Sequence, residues 1–303
     1  MQRIMIIAIL LFIGLIFENN QADAGTEVGI RPSILAGTWY PADAAELRKS
    51  IERYLSMAKT EPLKDELVAL IVPHAGHEFS GPTAAYAYKL LEGRAFDRVI
   101  ILGPSHHFGF PGASVSLQKG YRTPLGIVAI DQDFSQKLLA NEPYLNWLPQ
   151  AETQEHSLEI HLPFLQVVLK QVRIVPIIMG TDDFETCVRL AKKLAASIKG
   201  SGRTLLIASS DLSHFYKAEQ AKKLDQEFIK HIRDLNPEAL YAALQAKKTE
   251  ACGRAPVLTV MLAAKALGAD QALILNYAHS GDVSGDNNRV VGYVSVALIR
   301  KNK

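Results

Sequence analysis

Cysteine is scarce in this chain: there are two in 303 residues, Cys187 and Cys252. At most one disulfide can form, and in an oxidising compartment that pairing stays open. An excess of one charge is also missing. Lys and Arg total 33 against 31 Asp and Glu, a formal surplus of +2, and the basic residues are scattered along the chain. Nothing in that balance points to nucleic acid, whose binders carry a marked basic excess. No Gly-x-Ser-x-Gly occurs, so a serine-hydrolase elbow has no support. Repeats, low-complexity linkers and an evident domain boundary are absent too. The length therefore reads as one large domain, residues 25–303, behind a short leader.

One long apolar run is present, and it lies at the start. Met1-Gln2-Arg3 is a short positive region, Ile4–Phe17 carries no charge, and Ala22-Asp23-Ala24 is an A-x-A site. This is the layout of a secretory signal peptide over residues 1–24, with a mature chain from about Gly25 outside the cytoplasm, in a periplasm-like compartment. As a helix the run reaches ~21 Å at ~1.5 Å per residue. A hydrocarbon core is roughly 30 Å thick, so no stable span is expected after cleavage; an uncleaved anchor is the alternative. No cysteine lies near the cleavage site, which excludes a lipid-modified N-terminal cysteine.

Three buried-type strands organise the rest. Leu67–Val72 runs into Pro73-His74-Ala75-Gly76. Val99–Leu102 runs into Gly103-Pro104-Ser105-His106-His107. Leu205–Ala208 runs into Ser209-Ser210-Asp211-Leu212-Ser213-His214. In an open α/β sheet the strands' C-terminal ends form the ligand-binding edge. Helical patterns at Ala44–Met57, Thr83–Leu91, Phe134–Ala140, Glu155–Leu169, Phe184–Ile198, Lys217–Ile232, Pro237–Ala246 and Ala255–Leu267 alternate with strands. Further strands are expected at 113–117, 126–130, 172–179, 273–277 and 290–298. The class is α/β: a single domain with a mostly parallel central sheet flanked by helices.

Seven of the nine histidines fall in polar or glycine-rich breaks: His74, His77, His106, His107, His156, His161 and His214. Imidazoles on rigid strand ends suit a transition metal. Asp211 and His214 can add a carboxylate ligand or an acid/base pair; the blander reading makes Asp211 a helix cap with His214 in the first turn. Cys252 stands just before an apolar helix, where the dipole, helped by Arg254, lowers a thiol's pKa; the blander reading is a plain buried cysteine. His156 and His161, five apart, do not share a helix face, so one of them is expected at the site.

These stretches carry a resemblance. Pro73-His74-Ala75-Gly76, Gly103-Pro104-Ser105-His106-His107, Glu155-His156-Ser157 with His161-Leu162-Pro163, Ser210-Asp211 with His214, and Cys252-Gly253-Arg254 occur in the order seen in the MEMO family, whose bacterial members are called AmmeMemoRadiSam system protein B. Ala36-Gly37-Thr38-Trp39-Tyr40 and Tyr121-Arg122-Thr123-Pro124-Leu125 also resemble it. The resemblance implies a fold like that of class III extradiol dioxygenases, which use non-haem Fe(II). It also implies metal ligands His74, His106 and Cys252, with Asp211 and His214 beside the metal and His214 in the acid/base position. Thiolate in place of carboxylate favours iron or copper(I) and argues against extradiol cleavage itself. His77 stands where the family commonly has an aromatic residue, and the leader is unlike cytosolic relatives. The expected function is thus a metal-dependent redox enzyme with an unknown small-molecule or peptide ligand. The competing classes are a metal carrier or peptide-binding scaffold, and a zinc hydrolase.

Overall fold

The computed structural model describes residues 29–302; the expected leader, residues 1–24, lies outside them. Among the described residues no helix is long and apolar enough to cross a membrane. The chain opens with β1 (Ile30–Arg31), α1 (Ala44–Met57), β2 (Glu66–Val72), α2 (His77–Lys89), β3 (Arg98–Pro104) and β4 (Ala113–Val115). A hairpin of β5 (Gly120–Thr123) and β6 (Gly126–Ala129) follows, then α3 (Gln132–Leu139), β7 (Leu145–Asn146), α4 (Pro149–Glu152), a 3-10 turn at Glu159–His161 and α5 (Leu162–Val168). The second half runs β8 (Ile174–Met179), α6 (Phe184–Ile198), β9 (Thr204–Ser209), β10 (His214–Tyr216), α7 (Ala218–Arg233), α8 (Pro237–Gln245), α9 (Arg254–Ala266), β11 (Gln271–His279), α10 (Gly281–Ser284) and β12 (Val290–Arg300).

The main sheet has nine strands, ordered β10-β12-β2-β9-β3-β8-β4-β7, with β11 on the free side of β12. Its centre, β2, β9, β3 and β8, is parallel. Antiparallel strands flank it: β12 pairs with β2 and β11, and β4 with β8. A small second sheet joins β1, β5 and β6. The central strands bury both faces, as their unbroken apolar runs require. Ile100 and Leu102 of β3 enter one core with α6, α7 and α9, while Val99 and Ile101 enter the other with α1, α2 and α5. Each such side chain contributes about 1.5–3 kcal/mol by leaving water.

Helix limits follow local chemistry. Asp43, Asp131, Asp183 and Asn236 each accept a backbone N–H at the start of a helix. Two expectations needed correction. The helix predicted from Thr83 begins six residues earlier, at His77, with Pro82 inside it. The carbonyl that Pro82 leaves without a helical donor belongs to exposed Glu78, where water can serve it. The helix predicted from Glu155 starts only at Leu162, so Glu155, His156 and Ser157 lie in irregular backbone.

Candidate metal centre

Parallel strands put their C-terminal ends on one edge, and β2, β3 and β9 deliver His74, His106 and Asp211 there, each two residues past its strand. His74, His106 and His156 each offer a nitrogen, and the three nitrogens lie within 4.8 Å of one another. His74 is buried, His156 half-buried and His106 exposed. The rings of His106 and His156 stack at 4.3 Å, and His74 meets both edge-on at 5.2 and 5.4 Å.

Hydrogen bonds decide which nitrogen faces the centre. The Ser209 hydroxyl donates its one proton to the Ser157 carbonyl at 2.6 Å. It must therefore accept from His74 Nδ1–H, also at 2.6 Å, which leaves the Nε2 lone pair free. His106 Nδ1 donates to Glu155 Oε1 at 2.9 Å, with the same consequence for its Nε2. A carboxylate or hydroxyl behind an imidazole is the usual way a protein orients a metal-binding histidine. Glu155 also accepts from the backbone N–H of His106 (2.6 Å) and Ser157 (2.9 Å). Burial alone would raise its carboxyl; the hydrogen bonds it accepts from His106 and Ser157 outweigh that and hold the group at about 2. Burial, reinforced by neighbouring imidazoles, pushes His74 well below its ordinary value and His156 to about 4. Both are neutral at physiological pH, which is the form a metal needs.

Irregular backbone over residues 155–158 is what frees His156 to join this group. Gly103 permits it, since a Cβ there would overlap Ser157 Oγ and press on Leu158. From the other side Trp39 packs on His156 at 4.5 Å. The segment carrying Trp39 is pinned by fully buried Glu159, which pairs with Arg31 (2.6 Å) and accepts from Ser33 Oγ, Tyr40 OH and the N–H groups of Ile34 and Leu35. His161 does not reach the centre; it is buried against Tyr88 OH at 2.7 Å. His77 is buried too, giving Nε2–H to the Ile160 carbonyl. His107 is exposed beside the centre, 6.2 Å from the His156 ring.

Cys252 Sγ lies 3.1 Å from His74 Nε2, with Asp211 N 3.3 Å from the sulfur. The expected fall in its pKa is not found: burial first, then the charge of Asp211, push the thiol up, so its S–H points at the His74 lone pair. Both cysteines are free, and Cys187 is turned to the Ala255 carbonyl. Asp211 caps no helix. Its carboxylate accepts from His74 N (2.7 Å) and Ala75 N (3.3 Å), tying the end of β9 to the end of β2. Burial raises it to about 6 against those bonds. His214 opens β10 rather than a helix, half-buried, its N–H on Glu250 at 3.0 Å. Sequence reasoning gave no role to Glu155, Ser209 or Glu159. The signals were an acid directly before a histidine and a Ser-Ser pair closing an apolar strand; for Glu159 there was none.

Fold and site together define an α/β protein with a three-histidine centre, able to hold a metal ion, at the C-terminal edge of its sheet. The chain belongs to the Memo-like protein family, whose model matches residues 31–297. A MEMO1 family protein of Methanopyrus kandleri is 36% identical over 281 residues, covering 89% of this chain and 99% of the relative. Those of Aquifex aeolicus (35% over 271 residues) and Methanocaldococcus jannaschii (38% over 285) cover the same shares. Among solved structures, an uncharacterized protein from Escherichia coli K12 aligns with a TM-score of 0.48 at 14% identity, over 77% of this chain and all of that one.

Proposed function

We propose that this is a non-haem iron or copper redox enzyme acting outside the cytoplasm. The observation that carries the proposal is that His74 and His106 both turn Nε2 to the centre, each fixed by a partner on the far nitrogen. His74, His106 and Cys252 hold the metal, and His156 supplies a further nitrogen within reach. The residues fit such an ion: two imidazoles oriented from behind, plus a thiol that becomes a soft ligand once its proton leaves. An iron or copper ion bound there supplies one-electron exchange with a substrate or with dioxygen. Asp211 fixes the backbone of His74 and, titrating at about 6, can hold a proton beside the Cys252 sulfur. His214, steadied by Glu250 on β10, exchanges protons with the ligand. Trp39 keeps water from one face of His156.

Anaerobic purification with elemental analysis and electron paramagnetic resonance tests the proposal. Iron or copper near one equivalent is expected, with a sulfur signature lost in Cys252→Ser. Equal metal content in the wild type and in His74→Ala/His106→Ala would remove it. Oxygen consumption with catechols, thiols or reductants separates an enzyme from a stoichiometric carrier or peptide-binding scaffold, and activity with zinc alone would indicate a hydrolase. Export is tested by fractionation and by the mass of the N-terminus, expected near Gly25.

A further inference from the structure

The opposite edge of the main sheet has a different character. At the strands' N-terminal ends two adjoining cavities of about 660 and 880 Å³ share Gly93–Phe96, and a third of about 260 Å³ joins them through Arg173. Together they are lined by eight Lys and Arg against four Asp and Glu, a local surplus of four in a chain whose whole surplus is +2. The rest of the chain is therefore net acidic. Six of those cations are exposed: Lys137, Lys170, Arg173, Lys199, Arg203 and Arg300. A neighbouring depression, with Glu52 and Glu92 against Lys89, bounds the patch.

The described chain also begins near this edge. Gly29 accepts from Lys119 N, Lys119 accepts from Ile130 N, and Ile130 bridges to Ile174, the first residue of β8. Eleven residues separate Gly29 from Phe17, the end of the apolar run. At ~3.3–3.6 Å per residue they span at most roughly 40 Å. While that run sits in a bilayer, the chain thus enters the fold within roughly 40 Å of the lipid, on the side of the basic edge. The histidine centre lies at the other ends of the same strands.

We propose that the N-terminal edge of the main sheet is a docking surface for anionic phospholipid headgroups. The cavities take phosphate groups between guanidinium and ammonium side chains, and the attraction outlasts removal of the leader. Exposed Lys and Arg near an anionic leaflet each strengthen attachment about fivefold, with a steep dependence on salt.

The test uses a chain starting at Gly25, the expected mature N-terminus; both hydrophobic cores among the described residues lie between Leu35 and Ile299. It is sedimented with vesicles of phosphatidylcholine alone or with about one-third phosphatidylglycerol, at low and at about 0.5 M salt. Binding is expected only to the anionic vesicles and only at low salt. Lys170→Glu/Lys199→Glu/Arg203→Glu should weaken it roughly a hundredfold. Lys222→Glu/Lys223→Glu/Lys230→Glu, reversing as many exposed charges on α7, should change it less than about threefold. Should the triple variant melt early, Lys199→Glu alone, at an exposed helix end, is expected to cost about fivefold. No binding to anionic vesicles, equal loss in both triple variants, or tight binding of soluble polyphosphate without vesicle binding would overturn the proposal.

Discussion

The two ends of the central strands hold charge in opposite ways. At the C-terminal edge the polar groups of Ser209, Glu155, Asp211 and Glu159 are buried and committed to named partners. At the N-terminal edge Lys170, Lys199 and Arg203 are exposed to water. The first arrangement gives geometry: an imidazole whose far nitrogen is bonded cannot turn. The second gives range, because a loose cluster of cations acts over a Debye length without fixing anything. A near-zero net charge hides both, since it averages the surplus at one edge against the acidity elsewhere.

Substitutions at the two edges should therefore differ in kind. The largest effect is expected at Glu159. Glu159→Ala leaves Arg31 buried without its carboxylate, at a cost of about 3–5 kcal/mol, read as a fall in the urea midpoint. Lys199→Glu and Arg203→Glu, exposed, should each shift stability by less than about 0.5 kcal/mol. Similar losses in both sets would erase the contrast. Next comes Glu155→Gln, which keeps the shape behind His106 but removes the charge. Metal affinity measured by calorimetry should fall about 10–100-fold, while reversals at the basic edge leave it alone. Gly103→Ala forces a methyl onto Ser157 Oγ and should cost about 1–3 kcal/mol, with weaker metal binding as the 155–157 backbone shifts.

Acid should act on the histidine side of the molecule. Burial holds His77 at about 4 and His161 at about 3, against about 6.5 in the unfolded chain. Between those values the unfolded state binds the proton and the native state does not, so stability falls as pH drops from about 6.5 towards 4 and is flat above. Glu155, at about 2, extends the loss below the ordinary carboxylate range in the same direction. Urea midpoints at several pH values check this, and His161→Phe should flatten the slope. The smallest effect on metal content is expected at Cys187→Ala, which removes a buried thiol turned to the Ala255 carbonyl and should leave metal content unchanged.

Much of this molecule was readable from residues alone, for a local reason. Unbroken apolar runs ending in histidine gave β2, β3 and β9, and the helical patterns at Ala44–Met57 and Phe184–Ile198 match α1 and α6 to the residue. The segment 155–161 was misread because its spacing suits a helix. What unwinds it is distant: the Glu155 carboxylate spans His106 and Ser157, and Glu159 gathers residues 31–40, more than a hundred positions away. The blander reading of Asp211 as a helix cap fails for the same reason, since its partners, His74 N and Ala75 N, follow another strand. Of the pair from which one histidine was expected at the site, His156 reaches it and His161 does not, and Cys252 came from the family resemblance and from its place before α9.

The position of β12 has a consequence for how the molecule is made. It is the last strand of the chain, yet it lies between β11 and the edge formed by β2 and β10, and Gly292 exchanges backbone hydrogen bonds with Leu212 and Ser213. His74, His106, His156 and Cys252 all leave the ribosome before it does. Asp211 is tied to the end of β2, but until residues 290–300 arrive Leu212, Ser213 and His214 lack their partner strand. The backbone around His214 is thus set later than the stretches of chain that carry His74, His106 and His156.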